Sequence, residues 1–251
     1  MNGNRAIVAQ QSATGPVKVD GRKRRWHQHK VERRNELVDG TLGAIRRRGR
    51  DVSMDEIAAE IGVSKTVLYR YFVDKNDLTT AVMMRFAQTT LIPNMAAALS
   101  THLDGYELTR EIIRVYVDTV AAEPEIYPFV FANSSASKSK VIADSERIIA
   151  GMLAVMFRRR MQREGMVTKG VEPWAYMIVG GVQLATHSWM SHRRMSSDEL
   201  IDYLTMLSWS ALGGIVENGG SLERFLSRPH PQPRLPTPTD EPPGQDGSSQ
   251  G

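Results

Sequence analysis

Lys65, Thr66, Val67 and Arg70 stand close together in one short polar segment of the chain. Lysine and arginine donate hydrogen bonds to guanine O6 and N7, and the methyls of Thr and Val fit against the methyl of thymine. Side chains of these types can read base edges when a helix carries them into a major groove.

The surrounding residues supply such a helix. Ser53 with Glu56 three positions on forms a capping box, which satisfies amide donors left open at a helix start. Met54, Ile57, Ala58 and Ile61 then fall on one face. Gly62 breaks the pattern with the one residue type that enters left-handed geometry freely, and Ser64 starts a second helix. Leu68 and Phe72 are its inward positions. Two short helices about a glycine turn, the second with few core positions and several outward polar ones, make a helix-turn-helix. Its outward residues would enter a DNA major groove.

Charge is segregated toward the same end. Residues 1–50 hold 13 Lys/Arg against 4 Asp/Glu, and the other 201 residues hold 19 against 24, within a net +4. A basic end suits phosphate, because each neutralised phosphate releases condensed counterions. The 41% apolar content suffices for a core, and the absence of cysteine excludes disulfides, thiolate nucleophiles and Cys-ligated zinc. No apolar run is long enough to span a membrane, and the first 20 residues lack a secretory apolar core, which places the chain in the cytoplasm, with the nucleoid, and without a membrane partner. Enzyme chemistry finds little support: His27 and His29 lie among cations, His187 and His192 have no acidic ligand near in sequence, and no hydrolase, P-loop or dinucleotide fingerprint occurs. No catalytic residue, metal or cofactor is predicted.

Residues 1–27 are read as a basic flexible arm ending in Arg22, Lys23, Arg24 and Arg25, with Trp26 beside them. Such an arm either reaches along the DNA backbone or into a minor groove, or is a solvated tail. A helix from about Lys30 to Arg48 follows, with Leu37, Val38, Leu42 and Ile45 inward and the Arg46–Arg48 triplet in its last turn, where cations suit the dipole. Gly40 and Gly43 in that helix suggest close packing.

Leu37-Val38 and Gly49, then Ser53, Ile57-Ala58, Gly62-Val63-Ser64, Leu68-Tyr69, Tyr71-Phe72, Lys75 and Leu78, together resemble the DNA-binding signature of the TetR family of bacterial transcriptional regulators. The resemblance covers roughly residues 30–80. It implies that Lys65, Thr66, Val67 and Arg70 face bases, while Ser53, Ser64, Tyr69, Tyr71 and Lys75 hold the DNA backbone and set register. Tyr69 and Tyr71 could instead be core aromatics with wet hydroxyls. The family pattern also implies that residues 76–94 connect a DNA-binding domain at 28–75 to a larger domain whose movement tilts the reader.

That larger domain spans 95–227 and shows only helical periodicity, so the fold is all-α: an N-terminal three-helix helix-turn-helix domain followed by a helical effector-binding and dimerisation domain. Residues 228–251 are Pro-, Gly- and Ser-rich and read as a disordered tail. The final two long helices are apolar on more than one face, and in the family they form a dimer interface. Ile178, Val182, Leu204, Leu207, Leu212 and Ile215 are the expected contacts. A homodimer would read two half-sites of a palindrome about 34 to 36 Å apart. Tyr116, Phe129, Phe131, Met152, Met156 and Trp189, with Gln183, Thr186 and His187 as polar partners, are candidates for an effector pocket or for plain core. The function expected is a homodimeric repressor of a palindromic operator, released by a small hydrophobic effector. A sequence-independent architectural DNA binder without effector control is the alternative.

Overall fold

The computed structural model describes residues 21–132 and 136–230, and among these every regular element is a helix. The first, α1, is Gly21–Arg48; α2 is Met54–Glu60, α3 Lys65–Tyr71 and α4 Lys75–Phe86. A π-helical turn, Ala87–Leu91, joins α4 to α5, Ile92–Leu99. Then come α6 Gly105–Ala121, α7 Ile126–Ala132, α8 Ala136–Arg163, α9 Val171–His192, α10 Ser197–Glu217 and the short α11 Leu222–Leu226.

Local signals set the ends of α2 and α3. Ser53 accepts from the Glu56 amide at 3.3 Å, and the Glu56 carboxylate accepts from the Ser53 amide at 2.8 Å, so both halves of the capping box form. Gly62 closes α2 at φ +70°, where a side chain is strained, and the Val63 amide returns to the Ala58 carbonyl at 3.0 Å. Ser64 caps α3 by accepting from the Val67 amide. Gly40 is required for packing: a Cβ there would lie 2.7 Å from Ile61 Cγ2. Gly43 would meet only the far end of the Arg47 side chain and permits no comparable approach.

The structure corrects the start of α1. Arg22, Lys23, Arg24 and Arg25, expected on a flexible arm, lie on the helix, which begins at Gly21 rather than near Lys30. Arg and Lys are good helix formers and no proline intervenes, so the helix runs back past its last core residue. The side chains of Arg22 and Lys23, and residues 1–20, lie outside what is described, as does the tail beyond 230. Pro93 sits in the first turn of α5, directly after the π turn. The widened π turn before it accommodates a ring that would otherwise meet the carbonyl four residues back.

The helix-turn-helix core is not built from contiguous sequence alone. Leu37, Val38, Ile45, Ile57, Leu68, Phe72, Leu78 and Val82 are joined in it by Ile126 and Phe129 of α7. Two further clusters hold the C-terminal region, one around Val117, Val120 and Ile201 and one around Leu153, Val171 and Ala175.

Candidate nucleic-acid interface

With Leu68 fully buried and Phe72 1% exposed, α3 can present only its opposite side to solvent. Lys65, Thr66, Tyr69 and Arg70 occupy that exposed side, whereas Val67 and Tyr71 sit half-buried at its flanks. Tyr71 packs against the core while the Arg70 guanidinium lies 5.4 Å from its ring centroid. The Lys65 ammonium reaches back to Asp55 on α2 at 2.7 Å, and this hydrogen bond raises its pKa. The pair links the first turns of the two helices of the motif.

Several expected backbone-gripping groups already have intramolecular partners. Ser53 and Ser64 hydroxyls serve as helix caps. Lys75 donates to the Val52 carbonyl at 2.8 Å and lies 5.5 Å from the Phe129 ring centroid. Its ammonium therefore ties the start of α4 to the loop before α2. The arginine triplet ending α1 is likewise engaged: Arg46 with Glu123 at 2.5 Å, and Arg47 and Arg48 with Glu60 at 2.6 and 2.7 Å. The Arg50 amide donates to Glu125 at 2.9 Å. The links to Glu123 and Glu125 were not legible in the sequence, because these carboxylates lie more than 70 positions away from their partners.

The family model for bacterial regulatory proteins of the tetR family matches residues 37–82, the segment that carries this geometry. Over 220 residues the chain is 84% identical to an HTH-type transcriptional regulator of Mycobacterium tuberculosis, covering 88% of this chain and 94% of that relative. The chain belongs to the TetR family. A more distant relative, the HTH-type transcriptional activator FasR of Mycolicibacterium smegmatis, is 24% identical over 186 residues, covering 73% of this chain and 84% of FasR. Among solved structures, a TetR-family transcriptional regulator of Mesorhizobium loti superposes with a TM-score of 0.58 at 19% identity, over 73% of this chain and 96% of the other. The fatty acid degradation regulator FadR of Bacillus halodurans gives 0.57 at 15%, over 70% and 93%. These two likenesses establish the fold.

As a TetR-family regulator the chain binds DNA and regulates transcription. Its C-terminal region holds a cavity of about 770 Å³ between α6, α8, α9 and α10, walled by Leu108, Ile112, Leu153, Phe157, Trp174 and Trp209. Arg160, Glu164 and Arg224 are the charged groups on its lining. Of the residues expected to form an effector pocket, Met156 is the only one of those with described side chains on this lining. Tyr116 and Gln183 line a separate cavity of about 60 Å³ beside α4, too small for a drug-sized ligand. Burial raises the Tyr116 pKa well above its usual value and pushes that of neighbouring Tyr127 up to about 12.

The other residues expected at a pocket or in plain core line neither cavity. Phe129 is fully buried in the reader's core. Thr186 is fully buried and donates to the Val182 carbonyl of its own helix. Trp189 closes the α9–α10 turn by donating to the Met195 carbonyl, with Arg193 stacked on its ring. Met152 packs into a core cluster, His187 meets the Tyr127 ring at 5.7 Å, and the Phe131 side chain lies outside the described residues.

The expected dimer contacts divide in the same way. Val182 is buried, Leu204 packs in the same core cluster, and Ile178, Leu212 and Ile215 line the large cavity. Leu207 is 68% exposed. Met177 and Leu184 on α9, with Tyr203 and Met206 on α10, are apolar side chains that also face outward. Cβ atoms added at Gly180, Gly181, Gly213 or Gly214 would meet nothing within 4 Å. Of the six expected contacts only Leu207 is exposed, and the other five are buried or half-buried on the inner sides of α9 and α10. Among the described residues there is no group of three His, Asp or Glu able to hold a metal, and no helix long and apolar enough to cross a membrane.

Proposed function

We propose that two copies of the chain join through the outer faces of α9 and α10 and repress transcription from a palindromic operator in the bacterial cytoplasm. The observation that carries this reading is the exposed face of α3, where Lys65, Thr66, Tyr69 and Arg70 stand on a base of buried Leu68 and Phe72. Bases are read by Lys65, Thr66 and Arg70, with Val67 at the edge, and Tyr69 and Tyr71 hold phosphate.

An effector of hydrophobic or amphipathic character occupies the cavity of about 770 Å³, which falls in the size range of small-molecule sites. The apolar walls take the body of the molecule, and Arg160 and Arg224 take a polar end. Occupancy that displaces α6 acts on Glu123, which follows its last turn and holds Arg46, and on α7, whose Ile126 and Phe129 belong to the reader's core. Such a ligand shifts DNA affinity by its preference for one arrangement, ordinarily about 1 to 3 kcal/mol. A purely architectural DNA binder has no use for such a cavity. FasR, named as an activator, favours activation as a second reading.

The deciding experiment selects duplexes from a random library with the protein, then titrates the selected site in the presence of a panel of apolar metabolites. Enrichment of an inverted repeat, with release by at least one compound in wild type and none in Met156→Trp, is expected. Enrichment of no sequence overturns the specific reader, and equal release from wild type and the filled-cavity variant overturns the effector site.

A further inference from the structure

The first turns of α1 have no core beneath them. Every described side chain from Arg24 to Glu32 is exposed, and Leu37 is the first residue of the helix to enter the hydrophobic core. Trp26 is 68% exposed, with the Lys30 ammonium 5.7 Å from its ring centroid. Residues 21–34 carry seven Lys/Arg and a single acidic residue, Glu32. An isolated helix in water is marginal, and one this basic gains nothing from burying itself against the chain's own apolar surface.

The direction of this extension is fixed by two ion pairs. Arg34 meets Asp77 at 3.0 Å and Asp39 meets Arg85 at 2.7 Å, so α1 and α4 run side by side in the same sense. Since α4 starts at the end of α3 and leads toward the C-terminal region, α1 residues before Arg34 project past the α3–α4 junction, on the reader's side. Arg34 also stacks 4.7 Å from the Phe72 ring, which fixes the root of the projection to the residue that ends α3. At 1.5 Å per residue, Arg24 stands about 15 Å beyond that root.

We infer that the α1 extension is a second DNA contact, independent of base reading, which lies along the sugar-phosphate backbone flanking each half-site. This rests on the DNA-binding reading of α3. Charge complementarity and continuity with the reading face select DNA as the occupant. The contact adds affinity and lengthens the footprint without adding base preference.

The test compares the full chain with Arg24→Ala, Arg25→Ala, Lys30→Ala combined. Alanine preserves helix propensity, and the substituted positions are exposed, so helical content serves as the folding control. Both proteins are titrated over a salt series against the selected site as a short duplex ending at the half-sites and as a duplex extended by a helical turn on each side. On the extended duplex the variant's slope of log affinity against log salt is expected to be shallower by about 0.9 for each phosphate that the alanines leave without a cation. On the short duplex the two proteins are expected to coincide, and both are expected to select the same sequence. Equal slopes on the extended duplex overturn the proposal while leaving the reader intact. Equal slopes together with weakened binding to phosphatidylserine vesicles assign the helix to an anionic membrane surface and also overturn it. A wild type that enriches no sequence removes the underlying reading instead.

Discussion

Lys75 and Phe129 meet across the boundary between the reader and the C-terminal region, the ammonium 5.5 Å from the ring centroid and hydrogen-bonded to the Val52 carbonyl at 2.8 Å. One lysine thus closes the loop before α2, starts α4 and covers an aromatic ring contributed by α7. Phe129 is fully buried and its neighbours cannot collapse without moving α1 or α4. Phe129→Ala is expected to cost about 3 to 5 kcal/mol in urea denaturation, and Phe129→Leu considerably less. A cost below about 1 kcal/mol for the alanine variant would show that α7 is not part of the reader's core.

Base preference is expected to reside in Lys65 and Arg70. Either alanine variant should weaken binding to the selected operator by about 1 to 3 kcal/mol and accept more bases at the contacted position. Because Asp55 holds the Lys65 ammonium, Asp55→Ala should blur preference at the lysine's base while leaving that at the arginine's unchanged. Losses of equal size on operator and random duplex would reassign both cations to phosphate.

Leu184 and Leu207 are 69% and 68% exposed, so charging them leaves the protomer's own core untouched. The double variant Leu184→Glu, Leu207→Glu is expected to sediment at half the mass of the wild type with the same helical content. Its operator affinity should fall because each half-site is then bound alone. Sedimentation unchanged from wild type would move the interface elsewhere.

Glu56 is held below its usual carboxylate pKa of 4.5, first by the Ser53 hydroxyl and then by the Ser53 amide. A depressed folded-state pKa contributes stability that is present above the unfolded value and lost as pH falls through the folded one. Acid unfolding followed by circular dichroism should therefore show loss of α2 below about pH 4.5, and Glu56→Gln should flatten that part of the curve. Superimposable acid curves would mean that the capping box carries no proton linkage.

How much of this was legible in the sequence depended on how far apart the interacting residues lie. The Ser53–Glu56 box, Gly62 and the Leu68–Phe72 inward pair are set within a turn or two, and the box forms as expected, with Ser196 and Glu199 making a second one at the start of α10. The cavity is defined by four helices meeting from across the C-terminal region, so apolar side chains such as Ile112 and Ile215 carry no local mark separating wall from core. Phe129 illustrates the converse: its apolar surroundings suggest a pocket, and only the tertiary arrangement sends it into another domain's core. Trp209 belongs to a helix with more apolar residues than one buried face needs, and nothing local shows that it stands edge-on to Tyr106 and closes one side of the cavity.

The insertion of Ile126 and Phe129 among the side chains of α1, α2, α3 and α4 also bears on how this regulator can be cut and rejoined. A reader excised after α5 would carry every base-facing residue yet leave behind two of its largest interior supports. A chimera that transplants this DNA specificity onto another sensory domain therefore needs α7 to travel with the first five helices, or a host whose own connector fills the same hollow.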